Sequence, residues 1–235
     1  MSVWTARRFW SAATVEARVG GHAVLLDGRP VRTPLKVPML LPSAGLALEV
    51  AAEWQAQGET VNPATMPFTR TANSAIDTVI PQFVTVAAGI AVYGGSDLLC
   101  YRATDPEGLV QRQARGWDPL LAWAATELGA PLSQTSGIMP VAQPSASLAG
   151  LGDRVGALTP FQLAAFHDLV ALSGSLVLGL AVASGRLSAA EAWSRSRIDE
   201  DWQAELWGVD EDAAVIAALK GEAFLTADRF FALCG

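Results

Sequence analysis

The sequence predicts an α+β protein: a small N-terminal antiparallel-sheet domain with a covering helix, followed by a larger all-helical C-terminal domain. Short alternating runs separated by glycine-containing turns fill residues 13–41, a pattern typical of β-hairpins. From residue 69 onward, apolar residues recur mainly at helical spacing. The connector VNPATMP separates the two patterns, so we expect domains at residues 1–65 and 66–235.

Two turns define the predicted sheet. The run ATVEARV is followed by Gly20-Gly21, and the run HAVLL leads into Asp27-Gly28. Both dipeptides tolerate the positive φ angles that tight hairpin turns require. The runs PVRT and VPMLL, on either side of Pro34, complete an expected antiparallel meander of four strands.

One amphipathic helix is predicted to cover this sheet. Ser43 is a suitable N-cap for a helix over residues 44–57, and Gly58 is a suitable end. The apolar stripe of this helix repeats every four residues and consists of Leu46, Val50 and Trp54. Trp54 is therefore interpreted as a structural core residue.

Helical spacing in the second domain is interrupted by prolines and glycines. Pro119 lies inside a pattern over residues 106–128, which predicts a kink or restart near Trp117 and Asp118. Residues 130–147 are rich in proline and serine and are predicted to be loop.

Two further helical segments complete the predicted second domain. One helix is expected from Thr159-Pro160 to Gly185, with a Ser-Gly-Ser step inside it. A last helical region over residues 210–233 is expected to break near Gly221.

Composition excludes several functional classes. The chain has 235 residues, a formal charge of −7 and a pI near 4.8, which argues against general nucleic-acid binding. Its apolar runs at residues 86–93 and 176–183 are far shorter than the ~20 residues of a membrane helix. We therefore expect them to be buried helices without membrane insertion. Cys100 and Cys234 form no CxxC motif and are expected to be structural thiols in a reducing compartment.

Motifs for catalysis are missing from the sequence. It has no GxxxxGK[ST] loop, no GxSxG elbow and no HExxH pair. Gly150 and Gly152 do not fit the dinucleotide-binding spacing with Gly156 and are interpreted as loop glycines. The two histidines and two cysteines lack metal-ligand spacing. We therefore expect no enzyme activity, no metal and no cofactor.

The stretch from Ser188 to Asp212 is the most unusual part of the sequence. It contains three tryptophans and eight acidic residues against two arginines, and it opens with the capping box of Ser188 and Glu191. Its acids are compatible with a solvated helix face, and its aromatic residues with a binding surface. Asp199, Glu200 and Asp201 are consecutive, so a helix fans them apart by about 100° each. They cannot converge on one substrate atom.

Seven sequence blocks resemble the chaperones that bind the free alpha subunit of the soluble F-one head of ATP synthase, in mitochondria and alphaproteobacteria. They are RRFW (7–10), LDGRPVRTP (26–34), LALEVAAEWQAQ (46–57), MPFTRTANSAID (66–77), DLLCYRA (97–103), QARGWDPLLAW (113–123) and DEDWQAELWG (199–208). The blocks occur in order over most of the chain, and their order makes the resemblance specific.

This resemblance implies a non-catalytic chaperone that shields the alpha subunit's interface and releases it to beta. It also implies a bacterial cytoplasmic protein, with mitochondrial-matrix relatives; we expect a monomer. Glu200 is the acid favoured for partner contact. Trp202 shares a stripe with Ile198 and Leu206 and is expected in the core, whereas Trp193 and Trp207 lie off it. The expected partner-binding residues are Asp199, Glu200, Gln203, Glu205, Trp193 and Trp207; the expected structural residues are Trp54, Asp27, Gly28, Trp117, Asp118 and Pro119.

Two other functions remain open on the residues alone. An acid-dependent hydrolase of small molecules would need a deep pocket lined by Asp199 or Glu205 with a histidine nearby. A generic acidic interaction module would share the binding surface but have a different partner.

Overall fold

A four-stranded antiparallel sheet lies near the N-terminus of the computed structural model, which describes residues 7–137 and 139–235. Its strands are β1 (Ala13–Arg18), β2 (Gly21–Leu26), β3 (Arg29–Pro30) and β4 (Leu40–Leu41). Asp27 (φ 46°) and Gly28 (φ 80°) form the predicted turn between β2 and β3. Asp27 also accepts hydrogen bonds from the backbone N–H groups of Ser11 and Ala12, both at 2.9 Å. These bonds hold the pKa of the Asp27 carboxyl below its usual value.

The predicted meander order is wrong for its last strand. β4 pairs with β2 instead of β3, through His22–Leu41 and Ala23–Leu40. The chain folds back after β3 in a hairpin closed by an Arg32–Pro38 bridge. Lys36, with φ 69°, makes this reversal. β3 and β4 therefore pair with different parts of the same strand.

Helix α1 (Ala44–Gln55) packs against the sheet and carries the cap of the next helix. Ser43 accepts a hydrogen bond from the Leu46 N–H at 3.1 Å, which confirms the predicted N-cap. Trp54 is half-buried, with its ring centroid 5.2 Å from that of Trp10. Glu53 accepts hydrogen bonds from the backbone N–H groups of Phe68 and Thr69 at 2.6 and 2.7 Å, at the start of α2 (Pro67–Ser74).

The chain divides into two compact units at positions that differ from the predicted boundary at residue 65. The first comprises the chain up to Phe83, together with Thr159–Ala165 and Arg229–Gly235. Residues beyond the boundary belong to this unit because they pack in its core around the sheet. They are Phe68, Ala72, Ile76, Ala165, Phe230 and Cys234. The fold class is nevertheless confirmed, since an antiparallel sheet is followed by a mostly helical region.

The remaining elements are mostly helices. They are α3 (Phe83–Ala91), α4 (Glu107–Thr126), α5 (Ser145–Gly156), α6 (Pro160–Ser173), α7 (Leu176–Ala183), α8 (Ala189–Ser196), α9 (Ile198–Trp207) and α10 (Glu211–Ala232). The short strands β5 (Tyr101–Arg102) and β6 (Thr135–Ser136) pair in parallel.

Three glycine and proline signals act differently from the prediction. α4 continues through Pro119, so the restart predicted as one alternative does not occur. Pro119 lies on the exposed face of α4, while Trp117 and Leu120 are buried on the other. α10 continues through Gly221 without a break. A Cβ at this position would lie only 2.9 Å from the Trp193 indole, so the glycine makes room for that side chain. The helix predicted to run to Gly185 is instead divided by Gly174, whose φ is +70°.

The predicted loop at residues 130–147 ends in a helix, since α5 begins at Ser145. α5 includes Gly150 and Gly152, which were expected to be loop glycines. Its Leu151 and Val155 are fully buried, so packing stabilises a helix that the local sequence disfavours.

The two apolar runs differ in burial. Leu176–Val182 is buried, as expected, but in the run over residues 86–93 Ala88 and Gly89 are exposed and Val92 is 70% exposed. Among the described residues, Phe83–Cys100 is the one stretch with the length and composition of a membrane span. Here it comprises α3 and two 3-10 turns, and it includes the fully buried Asp97.

Candidate protein-binding surface

The acidic tryptophan stretch forms α8, α9 and the start of α10. Ser188 and Glu191 make the predicted reciprocal capping box at the start of α8. Gly208, with φ +92°, ends α9. The Asp210 carboxylate then accepts the backbone N–H of Ala213 at 3.1 Å and begins α10. Local signals in the sequence thus place two helix starts beside the candidate site.

Glycines on α4 let α9 approach it closely. A Cβ at Gly116 would lie 2.6 Å from Ile198 Cδ1, and one at Gly108 would lie 2.6 Å from the Trp202 indole. Trp202 is half-buried, while Leu206, one turn further along its stripe, is 57% exposed. The predicted core stripe therefore ends at Trp202.

Two tryptophans fix α8. Trp117 is fully buried and donates its indole N–H to the Arg195 carbonyl at 2.8 Å. That carbonyl lies in the last turn of α8, where backbone acceptors lack partners within the helix. Trp193 is half-buried, and its ring centroid lies 5.7 Å from that of Phe224 on α10. This packing differs from the rim position predicted for Trp193.

Two acids at the start of α9 have partners nearby. Asp199 accepts a hydrogen bond from Gln113 Nε2 at 2.7 Å and is half-buried. Glu200 is exposed and forms an ion pair with Arg197 at 2.9 Å. Asp199 therefore serves mainly to join α9 to α4, whereas Glu200 faces solvent.

The remaining acids of α9 differ in their pairing. Glu205 accepts two hydrogen bonds from Arg112, both at 2.8 Å, and the Arg112 guanidinium lies 4.9 Å from the Trp202 ring. These bonds hold the pKa of Glu205 below its usual value. Asp201 is exposed. The pKa of the Arg112 guanidinium is raised mainly by its hydrogen bond to Glu205 and, to a smaller extent, by the charge of Asp201. Asp201 therefore faces solvent with a more distant cationic neighbour.

Large apolar side chains are exposed beside these acids. Within α10, residues 211–220 are all exposed except Ala217, which is half-buried. The exposed apolar residues of α9, α10 and their connection are Leu206 (57%), Trp207 (79%), Val209 (68%), Val215 (61%), Ile216 (54%) and Leu219 (67%). Together with Glu200, Asp201, Gln203 and Asp210, we call these residues the α9–α10 surface.

A groove with a volume of about 510 Å³ runs through this surface. Its lining includes Glu200, Asp201, Gln203 and Trp207 from the predicted set. Neither Asp199 nor Glu205 lines it, and no histidine does, which argues against the hydrolase alternative. The described residues also contain no group of three His, Cys, Asp or Glu side chains arranged to hold a metal.

Sequence reasoning missed the apolar residues of α10. Val215, Ile216 and Leu219 lie in the predicted helical region over residues 210–233, but they were not among the expected partner-binding residues. The buried positions further along, Phe224 and Ala227, repeat with helical spacing, and extending that spacing backward reaches Ala217 and Ala213. Once the burial of Phe224 and Ala227 is known, this difference in helical phase places the larger residues on the outward face of α10.

Comparisons with known proteins agree with the fold. The family model described as "ATP12 chaperone protein" matches residues 7–125. "Protein atp12, mitochondrial" of Schizosaccharomyces pombe is 28% identical over 223 residues, which cover 88% of this chain and 75% of that protein.

Two solved structures are similar over nearly the whole chain. Atp12 from Paracoccus denitrificans is 54% identical with a TM-score of 0.94, covering 98% of this chain and 99% of that one. A putative chaperone from Agrobacterium tumefaciens is 42% identical with a TM-score of 0.90, covering 97% and 85%. The resemblance carried by the seven sequence blocks is confirmed, and the chain belongs to the ATP12 chaperone protein family.

Proposed function

We propose that this protein binds the unassembled alpha subunit of the ATP synthase soluble head, shields its subunit interface and releases it to beta during assembly. Family membership supports a role as an ATP synthase assembly chaperone, which is a binding role rather than a catalytic one. In this proposal it acts as a monomer in the bacterial cytoplasm and needs no cofactor.

The exposed apolar residues of the α9–α10 surface carry the proposal. Contiguous exposed apolar side chains on a soluble protein mark a site of protein interaction. Trp207 is 79% exposed, and tryptophans are frequent energetic centres of interfaces. A free subunit that exposes its future interface aggregates. An apolar surface on the chaperone that covers this interface would prevent that aggregation.

The acids of the surface contribute speed and reversibility. Asp201 and Glu200 are exposed beside Trp207, and such charges accelerate capture of a basic partner more than they add affinity. A small apolar centre surrounded by charge is typical of transient complexes. Beta can then displace the chaperone.

Paired variants test the location of the site. We expect Trp207→Ser and Glu200→Lys each to reduce the alpha subunit that co-purifies with the tagged chain, with a change of about tenfold or more in Kd for Trp207→Ser. The matched control is Val19→Ser, because Val19 is fully exposed in the hairpin of the first unit. Equal loss of alpha in all three variants, or in none, would reject the α9–α10 surface.

A further inference from the structure

The groove between α9 and α10 has a shape and charge that select one kind of occupant. We propose that it receives an amphipathic helix of the client that carries basic side chains along its polar edge. This inference rests on the proposed function and names the segment of the client that the surface recognises.

The floor of the groove consists of small residues. They are Ala204, Gly208, Ala213, Ala214 and Ala217. Small side chains allow the axis of a bound helix to lie about 8 Å from the axes of α9 and α10, the short end of the usual range for packed helices. Trp207 and Val209 also line the groove, and they supply apolar contacts for larger side chains of the occupant.

The apolar area continues along α10. Ile216 lies three residues after Ala213 and is therefore its neighbour on the helix surface. Its side chain is 54% exposed, and that of Leu219 is 67% exposed. Leu219 lies about 140° around α10 from Ala214, so an occupant of the groove would contact Ile216 at its edge but not Leu219.

The backbone around the groove favours a helical occupant over an extended one. Both walls are helices, α9 and α10, which present no strand edge. An extended segment adds to a protein mainly through backbone hydrogen bonds to a free strand edge, which these walls do not offer. A helix satisfies its own backbone and needs only side-chain contacts.

Charge complementarity selects a basic helix. Residues 199–212 contain seven acids and no lysine or arginine. Among these acids, Glu200, Asp201 and Asp210 line the groove. The one basic residue of the lining, Arg197, is already paired with Glu200. An acidic occupant would meet like charges on most sides, while lysines or arginines would meet Asp201 directly.

Two designed peptides test the proposal. One is a fluorescein-labelled helix of leucines at i, i+3, i+4 and i+7 with lysines on its polar edge; its twin has glutamates in place of the lysines. We expect the intact protein to bind the lysine peptide at least about tenfold more tightly than the twin by fluorescence anisotropy, with an advantage that declines as salt rises.

A groove-filling variant locates the binding. Ala214→Trp should weaken binding of the lysine peptide by about tenfold or more, because the new indole occupies the groove. Ala52→Trp is the matched control, since Ala52 is exposed on α1 and does not line the groove. Circular dichroism melting of both variants checks that the fold is retained.

Each outcome separates the inference from the proposed function. Equal affinity for the two peptides, or equal effects of the two variants, overturns the basic-helix proposal. Failure of the lysine peptide to bind a protein that still captures alpha overturns it too, while the proposed function stands. Binding of the lysine peptide by a protein that does not capture alpha supports the groove's ligand class and rejects the proposed client.

Discussion

Replacing Trp117 with phenylalanine should destabilise the protein through one named hydrogen bond. The indole N–H is the donor to the Arg195 carbonyl at 2.8 Å, and Trp117 is fully buried. Leaving a buried carbonyl without a donor costs about 1–3 kcal/mol. The smaller ring also leaves a cavity, which adds about 1 kcal/mol at ~24 cal/mol per Å³. We therefore expect a loss of about 2–4 kcal/mol in the free energy of unfolding.

Thermal melting measures this loss. For a chain of this size, 1 kcal/mol corresponds to a shift of about 2–4 °C, so Trp117→Phe should melt about 4–16 °C below the unmodified protein. Trp207→Phe is the control and should change stability by less than about 0.5 kcal/mol, because the side chain is exposed. A Trp117→Phe midpoint within 1 °C of the unmodified protein, measured to about that precision, would refute the role given to this hydrogen bond.

Three further predictions concern buried and charged groups. Burial raises the pKa of Cys100 and of Cys234 to about 12, so neither thiol should react with iodoacetamide at pH 8 until the protein unfolds; rapid labelling of the folded protein would contradict this. Glu53→Ala removes the acceptor at the start of α2 and should cost about 0.5–2 kcal/mol, whereas Glu53→Gln should cost less; equal melting of the two variants would exclude the capping role. Arg112 lowers the pKa of Glu205. This pair therefore stabilises the folded protein above the ordinary glutamate pKa of about 4.3, and the stabilisation is lost as the pH falls through the lower pKa of the folded state. NMR titration of the Glu205 carboxyl measures that pKa; an equal pKa in the unmodified protein and in Arg112→Ala would contradict the pairing.

Local chemistry made one turn and two helix caps predictable. The turn at Asp27-Gly28 and the caps at Ser43 and Ser188 depend on residues within a few positions of one another, so the sequence alone specifies them. The pairing of β4 with β2 was not predictable in this way. It depends on a hairpin whose reversal occurs at Lys36 (φ 69°), a residue type that rarely marks such a turn.

The helical half was harder to predict because glycine has two opposite uses there. At Gly174 the positive φ ends a helix, while at Gly221 the missing Cβ makes room for the indole of Trp193. Only the three-dimensional packing distinguishes these cases, since both glycines interrupt an apolar pattern. The same contact explains why Trp193 packs against α10 instead of lining the surface.

The acids and Trp207 of the proposed site carry signals in the sequence, whereas its apolar extent does not. Trp207 precedes Gly208 at a helix end, which is a local signal for exposure. Ile216 and Leu219 carry no such signal, because apolar residues in a helix are usually buried. Their exposure becomes evident only when the part of α10 that packs against Trp193 is known.

Solubility of the alpha subunit tests the central claim most directly. The alpha subunit is expressed alone and together with this chain, and the soluble fraction is resolved by size-exclusion chromatography. The account predicts that alpha stays soluble only in the co-expression and elutes with this chain as a complex. Equal aggregation of alpha with and without the chain, or soluble alpha that elutes apart from it, would contradict the account.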